Sequence, residues 1–212
     1  MSKRLEIAWR TVRRWARDPA ASAASDFALL LPVMLALFMG GYESTNLILT
    51  YRKVCDATAQ LSNITSQLGA GASGSIDSGS LQSAMAAVSQ VMYPYSAAPL
   101  TLTVVVINVN GEGIAAVGSK DTYSNGVFTT NSGTPPNPLL PASLYNSNIA
   151  TIQNTANCAS TSTQPCYSYL WVSGAYTYTS TIGGNYVGFN IPMFTSVYVP
   201  PRDEEVLNCT GC

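Results

Sequence analysis

The chain's most pronounced pattern is an unbroken apolar run near its start. From Phe27 to Tyr42 it reads FALLLPVMLALFMGGY, with no charge and no strongly polar side chain. As a helix these residues rise about 24 Å, a little less than the roughly 30 Å hydrocarbon core of a bilayer. Continuing through Glu43 to Leu49 closes the gap and leaves Glu43 near one interface. The pattern predicts a transmembrane helix over 26–50, with Gly40 near its end. Pro32 inside it lacks a backbone donor and is expected to kink it. The periodicity then becomes amphipathic: Val54, Ala57, Leu61, Ile64 and Leu68 recur at spacings of three or four and form one helical face. GAGASGS breaks this helix. A second is predicted over Ser80–Met92, capped by Ser78 or Ser80, with Leu81, Met85 and Val88 inward and Pro94 as its stop.

From Leu100 the period shortens to that of strands. TLTVVVINV is alternating and β-branched, Asn110-Gly111 reads as a hairpin turn, and GIAAVGS reads as the returning strand. Residues 119–168 are rich in Asn, Ser, Thr and Pro and are expected to be loop. YLWVSGAYTYTST and YVGFNIPMFTSVYV supply two further strands. The fold class is therefore α+β, with a long N-terminal helix, half in the membrane and half external, packed on a four-stranded antiparallel sheet. The expected divisions are a basic segment 1–25, the span 26–50, external helices 51–95 and a β-rich domain 96–212.

Charge sets the direction of the span. Charged residues are 10% of the chain, against roughly 25% in soluble domains. Residues 1–25 carry six cations (Lys3, Arg4, Arg10, Arg13, Arg14, Arg17) against Glu6 and Asp18, whereas 54–212 carry only Lys120 and Arg202 against seven anions. Cations before the span place the N-terminus in the cytoplasm and the body outside. Nucleic acid is excluded as a partner, because the body lacks a basic surface. The segment LEIAWRTVRRWARD can form an amphipathic helix on the inner surface, with Trp9 and Trp15 at headgroup depth, or serve only as a basic topogenic tail. A cleaved secretory signal is disfavoured, since no small-x-small site follows the apolar run.

Catalytic and metal chemistry find little support. The chain has no histidine, the commonest general base and metal ligand, and no hydrolase or nucleotide-binding motif. No enzyme activity, metal site or cofactor is expected. Asp203, Glu204 and Glu205 read as a solvated run. Of the five cysteines, Cys158 with Cys166 and Cys209 with Cys212 are the expected disulfides outside the cytoplasm, leaving Cys55 free, although four cysteines allow three connectivities.

Asp26, at the lip of the span, has two readings. Either it or Ser25 caps the helix, or Asp26 enters an apolar environment and must pair with a cation. If the chain were cut between Ala21 and Ser22, the new amine of Ser22 on a neighbouring subunit could supply that cation.

The order of these features, a basic stretch, small residues, an acid before Phe27-Ala-Leu-Leu-Leu-Pro32 and then a long helix, resembles the TadE/TadG family of pilin-like proteins. Leu140-Pro141, Val172-Ser-Gly-Ala-Tyr-Thr-Tyr-Thr179 and Ser196-Val-Tyr-Val-Pro-Pro-Arg202 resemble its later landmarks. The resemblance implies a pilin-like fold and a minor pilin or pseudopilin of the tight-adherence (Flp) pilus, a system for attachment and biofilm formation. It also implies, as partners, the inner membrane, other pilin-like subunits, the assembly platform and a prepilin peptidase. The family usually has Glu where this chain has Asp26, and Gly where it has Ala21. The competing expectation is an inner-membrane-anchored periplasmic binding module without a pilus role.

Overall fold

A computed structural model describes residues 19–68, 75–141, 144, 165–180, 190–202 and 208–210, with the backbone alone at 19–22, 24, 75 and 208–210. The basic segment 1–18, Cys158, Cys212 and the acidic run 203–205 lie outside the described residues. The protein divides into two compact units, Met1–Asn46 and Leu47–Cys212, and one helix, α1 (Pro19–Leu68), contributes to both. α1 starts at a proline, whose missing N–H costs nothing in a first turn, and continues through Pro32.

Within the second unit, α1 presents to the sheet the face its periodicity predicts. Val54, Ala57 and Leu61 are fully buried, and Ile64 and Leu68 pack at the edge of the same core. Between them lie buried hydroxyls. Thr58 donates to the Val54 carbonyl at 2.9 Å, Thr65 to Leu61 at 2.8 Å and Ser66 to Asn63 at 2.9 Å. Bonding back to its own helix lets each hydroxyl be buried without a partner on the sheet.

The next elements are β1 (Ser75–Asp77) and α2 (Ser78–Ser89), the latter continued by a 3-10 turn over Gln90–Met92. The cap is Asp77 rather than Ser78 or Ser80: its carboxylate accepts the Ser80 N–H at 2.9 Å. A carboxylate there also meets the positive end of the helix. Leu81, Met85 and Val88 face inward as expected.

The sheet has five antiparallel strands rather than four, in the order β4-β3-β2-β5-β6: β2 (Leu100–Asn110), β3 (Ala115–Ser124), β4 (Val127–Thr130), β5 (Pro165–Thr179) and β6 (Asn190–Val199). Two features differ from the sequence reading, and the second of them adds the extra strand. The β2–β3 connection is a four-residue loop, 111–114, in which Asn110 Oδ1 accepts the Ile114 N–H at 2.7 Å and Gly113 takes φ of 82°. The two-residue turn lies instead at Asn125 (φ 49°) and Gly126 (φ 80°), both left-handed as a tight hairpin requires. It joins β3 to β4 within a stretch expected to be loop. A separate parallel pair joins β1 to β7 (Asn208–Thr210), Ile76 lying opposite Cys209.

The sheet is covered on both faces. On one, α1 and α2 enclose Leu100, Leu102, Val104, Val106, Leu170 and Val172. On the other, Val105, Ile107, Val109, Tyr169 and Trp171 pack under Leu139, Leu140 and Leu144.

Candidate functional site

The first unit carries the strongest functional signal. Every side chain from Ser25 to Tyr42 is exposed, among them Leu29 at 74%, Leu37 at 73% and Phe38 at 75%. A helix that is apolar on all sides belongs in a protein core or in lipid. Among the described residues none covers it. Among the described residues, this is the one helix long and apolar enough to cross a membrane. Residues beyond Tyr42 extend its compatibility with lipid. Ser44 donates its hydroxyl to the Gly40 carbonyl at 2.8 Å and Thr45 to Gly41 at 2.9 Å. Hydroxyls satisfied inside their own helix can enter hydrocarbon at much lower cost than free ones.

The candidate residues of this segment fall as follows. Phe27, Pro32, Gly40 and Glu43 all lie within α1. So do Ser25 and Asp26, more than a turn past its start at Pro19, and this corrects the capping alternative: neither residue is at the helix end. Asp26 is exposed on the helix surface. Ala21 and Ser22 are helical in backbone, and Ser22 precedes Asp26 by one turn.

Of the cysteines, Cys55 is free and Cys166, buried at the start of β5, is disulfide-bonded. The expected partner, Cys158, is outside the described residues, as is Cys212. Cys209 is placed by backbone alone in β7. The pairing therefore stays an expectation. Among the described residues no three Cys, Asp or Glu side chains converge as metal ligands would.

One buried group was not anticipated. Asp121 lies in β3 opposite Val104 and Thr130, on the helix-covered face, with 1% of its surface exposed. Among the described residues neither carboxylate oxygen has a partner in good hydrogen-bond geometry, the Asn131 N–H being only near, and the Ser119 hydroxyl two residues before is likewise unpartnered. Desolvation raises the Asp121 pKa, and the Asn131 backbone N–H offsets this only in part. A residue read as loop gives no hint of burial; recognising Asn125-Gly126 as a turn would have placed Asp121 in a strand.

The sign of the consequence follows from the raised folded-state pKa. The group favours folding once protonated, so stability rises as pH falls from neutral through the folded pKa. The gain is complete below the unfolded value of about 3.9. Asp121→Asn is expected to stabilise the body at neutral pH, because a neutral amide costs less to bury than a carboxylate held charged. It should also remove this pH dependence. Thermal unfolding in detergent across that range checks both. A lower melting temperature for Asp121→Asn at neutral pH would contradict the expectation.

Compared with protein-family models, curated proteins and solved structures, the chain matches none.

Proposed function

We propose that this chain is a membrane-anchored, pilin-like structural subunit, a minor pilin or pseudopilin serving as a structural or assembly component of a tight-adherence (Flp) pilus that supports surface attachment and biofilm formation. The observation that carries this reading is α1. A helix whose first half is apolar on every side continues into a half whose buried face forms the core of an α+β body. Such a helix can leave lipid only if other helices replace the lipid around it, as they would in a fibre core or an assembly platform. The basic segment 1–25 holds the N-terminus in the cytoplasm, and the body lies on the periplasmic side. An oxidised Cys166 suits that side of the membrane.

In this reading Asp26 is the group that pairs between subunits, its carboxylate neutralised by a cation of the neighbour once both enter an apolar environment. Asp26→Ala is expected to reduce surface pili severalfold while leaving the body's unfolding temperature unchanged, and Asp26→Glu should retain assembly. Electron microscopy of sheared pili beside thermal unfolding separates the two effects. Normal piliation in Asp26→Ala would refute the pairing role. The reading as an anchored binding module predicts that same normal piliation, together with retention of the chain in the membrane.

A further inference from the structure

We infer that one end of the 47–212 unit, the end at which α1 enters it, is a lipid-facing surface that rests on the headgroup layer of the bilayer. The inference rests on the anchor reading above and adds to it a second contact with the membrane, made by the body.

The strand register and α1 together define this end. Beyond the Val199–Leu170 pair, the Arg202 N–H donates to the Ser66 carbonyl at 3.2 Å and its guanidinium to Asn63 Oδ1 at 3.4 Å. Four residues further along β5, Gly174 lies under Thr58 and Val54. α1 therefore passes over β5 in the opposite direction. At about 1.5 Å per helical residue and 3.3 Å per strand residue, Thr50 and Leu47 come level with Tyr176 and Tyr178. Consistent with this, Leu47 packs on the core that holds Tyr176, Tyr178 and Met193.

Among the described residues, three other segments reach the same end. Leu100, the first residue of β2, pairs with Tyr176, and the Tyr176 hydroxyl donates to the Ser96 carbonyl at 3.2 Å, which fixes the loop carrying Tyr93. Ser124 pairs with both Thr101 and Val127, bringing the β3–β4 turn alongside. Ile191 pairs with Tyr178 and Phe194 with Ala175. The side chains displayed here are large and apolar or aromatic: Tyr93 is 80% exposed, Val127 61% and Ile191 39%.

The charge pattern fits the same partner. Residues 92–101, 123–128, 175–180 and 190–195 contain no ionisable acid or base other than tyrosine. The charges beside them are Arg52 and Lys53 on α1, with Asp56 a turn further along. Tyrosines, scattered apolar tips and a pair of cations are the side chains favoured at a membrane–water interface, above all over anionic lipid. Continuity of the chain selects lipid as the occupant, because Leu47, where this unit begins, follows within a few residues the apolar run that ends at Tyr42. The opposite end differs: there Ile114 is exposed beside Glu112.

The test uses the full chain with Cys55→Ser, reconstituted into phosphatidylcholine–phosphatidylglycerol vesicles without reductant. Single cysteines at Tyr93, Val127, Ile114 or Phe38 carry an environment-sensitive fluorophore, read with and without lipids bearing a nitroxide near the headgroup. Labels at Tyr93→Cys and Val127→Cys are expected to emit further to the blue and to be quenched about twofold or more beyond the label at Ile114→Cys. If the Phe38→Cys label responds to lipid while those at 93 and 127 behave like 114, the surface proposal falls and the anchor stands. If the 93 and 127 labels are shielded from water but not quenched, protein covers this end, and the proposal is again overturned. If the Phe38→Cys label ignores lipid as well, the anchor reading fails and takes this inference with it.

Discussion

Leu35→Arg is expected to remove the chain from the membrane fraction. Leu35 lies at the middle of the apolar run and is 49% exposed. Between Phe27 and Tyr42 there are eight Leu, Phe or Val residues, each contributing roughly −0.3 to −0.6 kcal/mol to insertion, about −2 to −5 kcal/mol together. A central arginine costs about 2.5–3.5 kcal/mol and also forfeits the leucine's contribution. One substitution therefore cancels most of the insertion free energy, a change of about a hundredfold or more in partitioning. Neither end of the span can rescue it by snorkelling, because the middle lies about 12 Å from either end. Leu35→Ala should stay in the membrane, which separates loss of polarity matching from loss of bulk. Alkaline extraction followed by fractionation checks both variants. Equal membrane retention of Leu35→Arg and the unaltered chain would mean that this helix is not solvated by hydrocarbon, and the functional reading would lose its foundation.

What the sequence revealed, and what it hid, follows the range over which each feature is determined. Val54, Ala57 and Leu61 were legible because helical burial repeats within a few residues, and the β2 and β5 strands because they are rich in Val, Ile, Tyr, Trp and Thr, which favour extended conformations. β4 was missed because four residues at a sheet edge need only one covered side, and VFTT scarcely alternates. The Asn125-Gly126 turn was nonetheless a local signal, comparable with the Asn110-Gly111 dipeptide that was read. The β1–β7 pair could not have been seen: three residues near position 76 meet three near 209, and no local pattern encodes a contact of that span. The same holds for the choice of Asp77 as cap among several adequate candidates, and for Asp121, whose burial is a property of what packs over β3. In the first unit the long apolar helix was legible, because apolarity on every side of a helix is a property of composition and needs no tertiary knowledge.

Gly174 gives the body its most demanding test, and the expected effect of filling it is large. It lies in β5 between Leu102 and Thr195, on the face that meets α1. A β-carbon there would overlap the Thr58 hydroxyl oxygen and touch Val54 Cγ1 at 3.4 Å. Neither neighbour can yield easily. Thr58 is 2% exposed and Val54 fully buried, and the Thr58 hydroxyl is held by its bond to the Val54 carbonyl. Gly174→Ala must therefore push α1 away from the sheet or break that bond, and overpacking of this kind costs about 1–3 kcal/mol. Gly174→Val, with two more methyl groups in the same space, should exceed that and leave little folded protein. Helix propensity is untouched by either change, so the loss would come from the helix–sheet distance alone. Thr58→Ala supplies the discriminating second site: it removes the overlapping oxygen, and combined with Gly174→Ala it should recover at least about 1 kcal/mol of the loss, a coupling that a double-mutant cycle measures directly. Denaturation of the full chain in detergent, followed by near-ultraviolet circular dichroism, gives the four stabilities needed. Additive losses would mean that Gly174 and Thr58 do not share this contact, and the close seating of α1 on β5 would have to be abandoned. Coupled losses would tie the external half of α1 to the sheet through a spacing that only a glycine opposite a small helical residue can provide.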